Sequence, residues 1–402
     1  MTSLRVLALA GPGDVLGTFE RWSKGEEDDT VTHVPFSAQF FDACRDLDIE
    51  AFVVSSNGRL GRSTAGRIVV ENRGSMIGGH GIAYHLSGVR EAHRVTRLAR
   101  ELGAQAVFAG MTPHPYLIRA FLPRSVKIVA ELHNALWSNC GAHSPKIIGI
   151  RVAYRSFFCD GCDAILSVSR QIKQQVHEVS GPNHAPFVDF LPLFRAEVFQ
   201  GIPPPVEADG FRVMYAGRVE RSKGIFDLLE VAVRLHRERQ SVAFDICGTG
   251  SAMSELEADV RRQGLQDVFI LHGWCGHDTM RNNFTRANVV VVPTRQSFNE
   301  GFNMVVVEAL LAGRPVITSR VCPALEYVKD AAVEVPPDDP NAYYDAILRL
   351  KFDRQLNERL KAARASAMAR FLDPSQSYGA AVRHVLQALL LGSQPRPREL
   401  SA

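Results

Sequence analysis

Short apolar runs alternate with longer amphipathic segments along most of this chain, and the two patterns predict strands and helices respectively. The predicted strands lie at residues 5–10, 51–55, 106–109, 126–132, 164–168, 211–216, 242–247, 268–271, 287–292 and 315–318. The predicted helices lie at 89–102, 115–121, 151–158, 170–178, 225–239, 253–262, 341–370 and 375–391. Strands that alternate with helices favour parallel sheets, so we expect an α/β protein with doubly wound, Rossmann-like units.

A chain of 402 residues exceeds what one hydrophobic core usually supports. A proline-rich stretch at 191–206 is the expected linker, which places one domain at 1–200 and another at 207–374. A last helix at 375–392 precedes a polar tail, 393–402, that we expect to be disordered. The glycine- and arginine-rich stretch from 57 to 81 is predicted to be a long mobile loop with a strand near 68–70.

Composition excludes several classes of protein. The net charge of +3 gives no indication of nucleic acid binding. The seven cysteines are an odd number, which fits a reducing compartment. Cys159 and Cys162 have the spacing of metal ligands, but no second such pair follows, so they are interpreted as packed thiols. The N-terminus lacks the pattern of a secretory signal, and no apolar run approaches the ~20 residues of a membrane span. These features predict a cytoplasmic enzyme.

The charge is unevenly distributed. Residues 1–50 carry ten acidic and four basic groups, whereas residues 51–150 carry twelve basic and four acidic groups. A solvated basic face is the ordinary interpretation. The alternative hypothesis is an anionic or lipid-linked substrate, with peripheral contact at the inner face of a membrane.

Five polar or glycine-rich motifs follow predicted strands directly, where open parallel sheets bind their ligands. In chain order they contribute Gly11 and Gly13 of GPGD, His133 of HN, Arg218 and Lys223 of GRVERSKG, Gly248 and Gly250 of GTG, and Glu300 of NEGFN. Each motif alone is weak evidence. A structural role for His133, with its hydrogen bonds made inside the fold, is an equally good interpretation of that residue. Together they predict a binding cleft.

The stretch 297–319 contains two glutamates, Glu300 and Glu308, separated by seven residues. Glu308 lies in a predicted helix that ends near Gly313. Asn303 is a candidate N-cap, and the first amides of this helix, from Met304 onward, would then attract an anion.

Arg218 and Lys223 would place two fixed positive charges near the amino end of this helix. Two such charges suit a diphosphate. Carboxylates do not bind phosphate, so Glu300 and Glu308 need hydroxyl partners such as a sugar and a ribose. A nucleotide-diphosphate sugar carries all these groups. Glycoside hydrolysis is the alternative use of paired carboxylates, but neighbouring cations oppose the protonated acid that it requires.

These residues resemble the retaining GT-B glycosyltransferases with the Glu, seven residues, Glu signature, of the glycosyl transferases group 1 type. In the second half the resemblance rests on YAGRVERSKG, ICGTG, RANVVVVPT and NEGFNMVVVEALLAGRPVI, and in the first half on GPGD, ELHN and CDAILSVS. It implies two Rossmann-like domains that face a central cleft, an acceptor domain first and a donor domain second. The last helix would cross back to the first domain.

The resemblance also implies roles for individual residues. Arg218 and Lys223 would bind the diphosphate and Glu308 the ribose. Glu300 would hold the transferred sugar with the backbone of Gly301, Phe302 and Asn303, and His133 would reach that sugar from the first domain. The family usually has glycine where Asn303 stands, and KDAAVEV at 329–335 replaces an expected glycine-containing turn.

The sequence therefore predicts a retaining enzyme that moves a sugar from a UDP- or GDP-sugar to a hydroxyl acceptor in glycan, polysaccharide or glycolipid biosynthesis. The resemblance implies no metal and no cofactor, and the DxD of Asp46 and Asp48 is interpreted as surface carboxylates. A GT-B nucleotide-sugar epimerase is the related alternative. A non-catalytic nucleotide-sugar-binding partner is the alternative from another class.

Overall fold

The computed structural model describes residues 4–28, 30–74, 82–110, 114–138, 145–205 and 210–400. The chain forms two compact units, which are described separately. The first comprises Met1–Leu136, His143–Leu193 and Asp373–Ala402, and the second comprises Trp137–Ala142 and Phe194–Leu372. The end of the predicted linker, at residue 206, and the end of the predicted mobile loop, at residues 75–81, lie outside the described residues.

The first unit is built on an eight-stranded sheet in its described part, with the order β3-β4-β2-β1-β5-β6-β7-β8. The strands are β1 (Arg5–Leu9), β2 (Glu50–Ser55), β3 (Gly61–Ala65), β4 (Ile68–Asn72), β5 (Ala106–Ala109), β6 (Lys127–Leu132), β7 (Ala164–Ser167) and β8 (Phe187–Asp189). The helices are α1 (Val15–Ser23), α2 (Phe36–Asp46), α3 (Ile82–Glu101), α4 (Pro115–Phe121), α5 (Pro145–Ser156), α6 (Arg170–Ser180) and, from the chain's end, α14 (Tyr378–Leu390).

The segment predicted as a mobile loop after residue 57 is instead largely a hairpin. Strand β3 pairs antiparallel with β4, and β4 pairs parallel with β2. Buried residues alternate with partly buried ones along β4, which is the pattern of a strand near the edge of a sheet. The predicted strand near 68–70 lies within β4, whereas the polar sequence GRSTA of β3 carried no apolar signal.

The tail predicted to be disordered also has a defined place as far as residue 400. The amide of Arg398 donates to the carbonyl of Phe187 at 2.9 Å, and the carbonyl of Arg398 accepts from the amide of Asp189 at 2.8 Å. Arg398 therefore supplies backbone partners to β8, the last strand in the sheet order. Satisfaction of edge-strand hydrogen bonds does not need apolar side chains, so the polar composition gave no indication of it.

The second unit contains a six-stranded, wholly parallel sheet in its described part, with the order β11-β10-β9-β12-β13-β14. The strands are β9 (Phe211–Ala216), β10 (Val242–Cys247), β11 (Phe269–Gly273), β12 (Val289–Val292), β13 (Val316–Thr318) and β14 (Ala332–Glu334). The helices are α7 (Ile225–Arg237), α8 (Met253–Gln263), α9 (His277–Arg286), α10 (Met304–Leu311), α11 (Leu325–Val328), α12 (Pro340–Phe352) and α13 (Arg354–Ala369).

The continuous apolar sequence of β12 explains its central position. All four valines of Val289–Val292 are buried, as expected for a parallel strand covered on both faces. The strand order reverses direction between β9 and β12, which are neighbours in the sheet although two strands, β10 and β11, separate them in the chain. In such sheets ligands bind outside the carboxyl ends of the strands, next to the point where the strand order reverses. The predicted α/β class with parallel sheets is confirmed.

Candidate functional site

The loops that follow β9 and β12 lie side by side in the second unit. The amide of Arg295 donates to the carbonyl of Ser222 at 3.0 Å. Gly224 has φ +74, and a Cβ there would lie 1.9 Å from the carbonyl oxygen of Pro293. Only glycine permits so close an approach of the two backbones. This contact brings Lys223 from the first loop to Glu300 from the second.

Lys223 and Glu300 form a largely buried ion pair. The distance between Lys223 Nζ and Glu300 Oε2 is 2.6 Å, and Glu300 is 8% exposed. The same carboxylate oxygen accepts from Asn303 Nδ2 at 3.1 Å and from the hydroxyl of Thr294 at 3.3 Å. Its other oxygen accepts from the amide of Gly301 at 3.3 Å. These partners fix the carboxylate in one orientation, as a substrate-positioning group requires.

The amino end of α10 differs from the sequence prediction in one respect. Asn303 adopts the left-handed conformation, with φ 76 and ψ 78, and its side chain does not cap the helix. The side-chain amide instead donates to Glu300 and Thr294. Asn303 therefore occupies the predicted N-cap position, but the prediction that its side chain caps the helix is wrong, because that side chain binds the buried carboxylate. The end of the helix dipole is left without a side-chain cap beside that carboxylate.

The remaining predicted residues of this loop have unequal roles. Glu308 lies within α10 and is partly buried. Met304 is the first residue of α10. The side chain of Phe302 is buried and packs against the rings of Tyr327 and Phe371, and its carbonyl accepts from Ala324. Phe302 thus anchors the loop in the core, and any ligand contact would fall to its backbone.

The side chains of Lys223 and Arg218 lie against the ring of Phe298, a residue that was not singled out from the sequence. The Lys223 ammonium is 3.8 Å from the ring centroid of Phe298, and the Arg218 guanidinium is 5.2 Å from it. Arg218 is 60% exposed in its side chain and binds Glu220 at 2.8 Å. A phenylalanine two positions before Glu300 was a visible signal, but its partners were not deducible from spacing.

Close packing of the backbone requires glycine at both glycine positions of the GTG motif. A Cβ at Gly248 would lie 1.8 Å from the carbonyl oxygen of Gly217, and a Cβ at Gly250 would lie 2.3 Å from that of Val219. The amide of Val219 also donates to the carbonyl of Thr249 at 2.9 Å. This motif therefore supports the loop that carries Arg218 and Lys223, whatever ligand contact it also makes.

The predicted residues of the first unit are placed by other elements. Gly11 and Gly13 follow β1, and the space around a Cβ at Gly13 is open. His133 follows β6, and its ring packs against those of Phe36, Phe190 and Tyr378. Burial lowers the pKa of His133 to about 4, so the imidazole is neutral at physiological pH.

A buried carboxyl group lies two residues before His133 and was not singled out from the sequence. Glu131 is on β6 and accepts a hydrogen bond from the hydroxyl of Tyr378 on α14. Burial raises the pKa of Glu131 to about 7, although the bond from Tyr378 lowers it. A run of apolar residues with one carboxylate, KIVAEL, was the signal available in the sequence.

Asp46 of the DxD motif binds Arg383 at 2.8 Å and Arg45 at 3.2 Å, as surface carboxylates do. In the described ranges, no group of three or more histidine, cysteine, aspartate or glutamate residues has metal-site geometry. Among the helices that the structure describes, none combines the length and apolar character needed to cross a membrane.

Comparison with known proteins identifies the second unit. Residues 210–353 match the family model of the glycosyl transferases group 1. This match lies within the second unit and covers less than half of the chain. The resemblance predicted from the motifs is confirmed at the level of this family, while the Glu, seven residues, Glu pattern itself is not tested by the match.

Curated proteins that resemble this chain include named glycosyltransferases. It is 29% identical over 150 residues to an alpha-D-kanosaminyltransferase of Streptomyces kanamyceticus, a match that covers 37% of this chain and 38% of the relative. It is 25% identical over 281 residues to the glycogen synthase of Mycobacterium tuberculosis, which covers 68% of this chain and 66% of the relative. The chain thus spans about two fifths of the first relative and about two thirds of the second.

Solved structures share the fold. Sucrose-phosphate synthase from Thermosynechococcus elongatus superposes with a TM-score of 0.72 at 16% identity, over 97% of this chain and 100% of that one. Anabaena HepE in complex with UDP and glucose superposes with a TM-score of 0.64 at 16% identity, over 96% of this chain and 100% of that one. The predicted GT-B fold class, with two Rossmann-like parallel-sheet domains, is confirmed.

Proposed function

We propose that the protein is a retaining, metal-independent glycosyltransferase that moves a sugar from a UDP- or GDP-sugar to a hydroxyl acceptor. The observation that carries the proposal is the buried pair of Lys223 and Glu300, which lies where the loops after β9 and β12 meet, beyond the carboxyl ends of these strands. Nucleotide ligands bind doubly wound sheets at this position. The bound UDP and glucose of the related HepE structure support the choice of ligand class.

The residues suit the parts of such a donor. Lys223 has three N–H donors, so it can keep Glu300 and still donate to a phosphate oxygen. Arg218, largely exposed, has a second nitrogen free of the Glu220 contact for the same diphosphate. The uncapped end of α10 adds backbone amides aimed at an anion. These groups would stabilise the charge that develops on the departing nucleoside diphosphate.

The carboxylates suit the hydroxyl groups of the donor. Glu300, held by four partners, would accept from the hydroxyls of the transferred sugar, with the backbone of Gly301 to Asn303 and Met304 beside it. Glu308, in the second turn of α10, would accept from the ribose. The asparagine at position 303, where the family usually has glycine, adds a side-chain amide to the sugar pocket.

The test is donor turnover in the presence and absence of acceptors. Incubation of the full chain with UDP- or GDP-sugars in EDTA should release the nucleoside diphosphate, and Glu308→Ala should abolish that release. Unchanged turnover in the Glu308→Ala variant, or strict dependence on an added divalent metal, would contradict the proposal. NMR of the product distinguishes retention from inversion at the anomeric carbon.

Two alternatives make different predictions in the same assay. An epimerase would convert the nucleotide sugar without any acceptor, and the sugar would remain attached to its nucleotide. A non-catalytic binder would be stabilised by the donor and would release no nucleoside diphosphate. The acceptor, which we place in glycan, polysaccharide or glycolipid biosynthesis, is sought among anionic and lipid-linked hydroxyl compounds because residues 51–150 are basic.

A further inference from the structure

The second unit has a large cavity on the edge of the sheet opposite to the candidate donor site. Its volume is about 710 Å³, within the range of ligand sites. Residues that immediately precede strands line it, namely Gly210, Ser241, Asn288, Pro315 and Ala331. Lys223 and Glu300 follow the carboxyl ends of their strands, so the cavity lies a strand length away, ~15–20 Å.

The wall of this cavity is strongly basic. Three of its cations, Arg354, Lys361 and Arg364, lie on α13 at spacings of seven and three residues, which puts them on one face of that helix. Arg314 and Lys351 complete a set of five cations. Among the described lining residues the one carboxylate is that of Glu358, at 3.9 Å from Lys361.

Arg314 is the buried member of this set and is only 4% exposed. Its Nε donates to the carbonyl of Phe284 at 2.6 Å, and its Nη2 donates to the carbonyls of Pro203 and Thr285. Its Nη1 has no hydrogen-bond partner in the part of the chain that is described. Burial, and secondarily Arg364, lower the pKa of Arg314 to about 10. A buried cation whose hydrogen bonds go only to neutral carbonyl groups has no counter-ion, so its charge is not compensated.

The guanidinium group of Arg364 lies beside Gly313, the residue that precedes Arg314. A Cβ at Gly313, which has φ +80, would lie 2.6 Å from Arg364 Nη1. Within the described ranges the side chains of Arg364 and Arg354 form no ion pair and no hydrogen bond. Two adjacent guanidinium groups without a carboxylate repel each other, and a phosphate would relieve that repulsion through charge-assisted bonds.

We infer that this cavity is a second ligand site, which binds a phosphate-bearing molecule between Arg314, Arg354 and Arg364. Phe352, at the end of α12, lines the same cavity and is 68% exposed. Its ring, with those of Pro204 and Pro205, offers an apolar surface to the rest of the ligand. The phosphate could belong to a small soluble ester or to a lipid headgroup. The inference does not depend on the proposed function.

Calorimetric titration with inorganic pyrophosphate tests the site. The double variant R354Q/R364Q should lose at least about tenfold in affinity for one class of site, because each lost charge-assisted bond costs measurably. Arg359→Gln removes an exposed cation of the same helix that does not line the cavity, so it should bind as the wild type does. Lys223→Ala, at the donor site, should leave this class of site intact. Equal affinity in wild type and R354Q/R364Q would overturn the inference.

Tungstate, detected by its anomalous scattering in crystals of the full chain, locates the anion directly. A peak beside Arg314 and Arg364 is the expected result, and peaks only elsewhere would overturn the inference. Sedimentation with vesicles containing phosphatidic acid, lost in R354Q/R364Q, would assign a lipid phosphate. Pyrophosphate binding without vesicle binding would assign a soluble one.

Glu207 and Asp209 lie between Pro205 and Gly210 in the sequence, outside the described residues. A variant with E207Q and D209N is therefore titrated in parallel. If this variant bound pyrophosphate and the wild type did not, the inference would be overturned. Glu207 and Asp209 would then be the partners of the cations in the wild type.

Discussion

Lys223 and Glu300 are 77 residues apart in the sequence, yet Nζ and Oε2 are 2.6 Å apart beyond the carboxyl ends of β9 and β12. Both side chains are largely buried. The pair joins the loop after β9 to the loop after β12, and the backbone contacts of Ser222 with Arg295 and of Gly224 with Pro293 hold the same two loops together. A buried pair of this kind contributes less to stability than its geometry suggests, but removal of one partner is costly.

Lys223→Met should therefore destabilise the second unit by roughly 2–4 kcal/mol, because Glu300 remains buried without its cation. Glu300→Gln should cost less, since the amide can keep bonds to Gly301 and Thr294. Urea unfolding of both single variants and of the double variant gives the coupling free energy. Strictly additive effects would show that the two residues do not act as a pair.

Asn303→Ala should destabilise the protein by about 1–2 kcal/mol, because alanine at φ 76 is strained and loses the bond to Glu300. Asn303→Gly is the matched control, since glycine accepts this conformation and loses only the side-chain bond. Denaturant unfolding should rank the stabilities as wild type, then glycine, then alanine. An alanine variant at least as stable as the glycine variant would contradict the left-handed assignment.

Gly248→Ala should cost more than ~3 kcal/mol, because the added Cβ would lie 1.8 Å from the backbone oxygen of Gly217. Gly264→Ala is the control: Gly264 has φ +69 but open space around a Cβ, so only the strain of about 1 kcal/mol is expected. Thermal unfolding measures both. If Gly248→Ala kept wild-type stability and lost only nucleotide affinity, the glycine would be required for ligand approach alone.

Glu131 should make the first unit less stable as pH rises from about 4.5 to about 7. Its pKa in the folded protein is about 7 and its ordinary value is 4.5, so the folded state binds the proton more tightly over this interval. The loss could reach about 3 kcal/mol. Glu131→Gln should remove this pH dependence, and thermal unfolding from pH 5 to 8 compares the two proteins. Parallel curves would contradict a raised pKa.

The contribution of His133 to stability changes with pH in the opposite direction to that of Glu131. A His133 variant therefore gives an independent check on the pH dependence. Its folded pKa of about 4 lies below the ordinary 6.5, so stability from this group rises as pH increases between those values. His133→Gln should lessen the loss of stability below pH 6.5. Donor turnover by the same variant tests the catalytic role predicted for His133, which stays a prediction.

The sequence predicted most of the fold because its strands are continuous apolar runs. Val289–Val292 could be recognised as a buried strand without any other information. Strand β3, with the sequence GRSTA, could not, since an edge strand of a hairpin is stabilised by backbone pairing and not by apolar burial. The same reason applies to Arg398 beside β8.

The motifs named residues that the structure brings together in the second unit, but they did not predict the contacts of those residues. The motifs indicated Lys223, Glu300 and Asn303, whereas the left-handed backbone of Asn303 and its bond to Glu300 depend on tertiary packing. Phe298 and the basic cavity beside α13 were missed for the same reason. Spacing along a helix shows which residues share a face, but not which other elements meet that face.

The most direct test of the account is a thermal-shift panel of UDP, GDP and their sugars on the wild type, Lys223→Ala and Glu308→Ala. At a hundredfold its dissociation constant, a donor should stabilise the wild type by about 2.7 kcal/mol and should stabilise neither variant to that extent. Stabilisation of all three proteins to the same degree, or of none by any nucleotide diphosphate, would contradict a donor site built on Lys223 and Glu308.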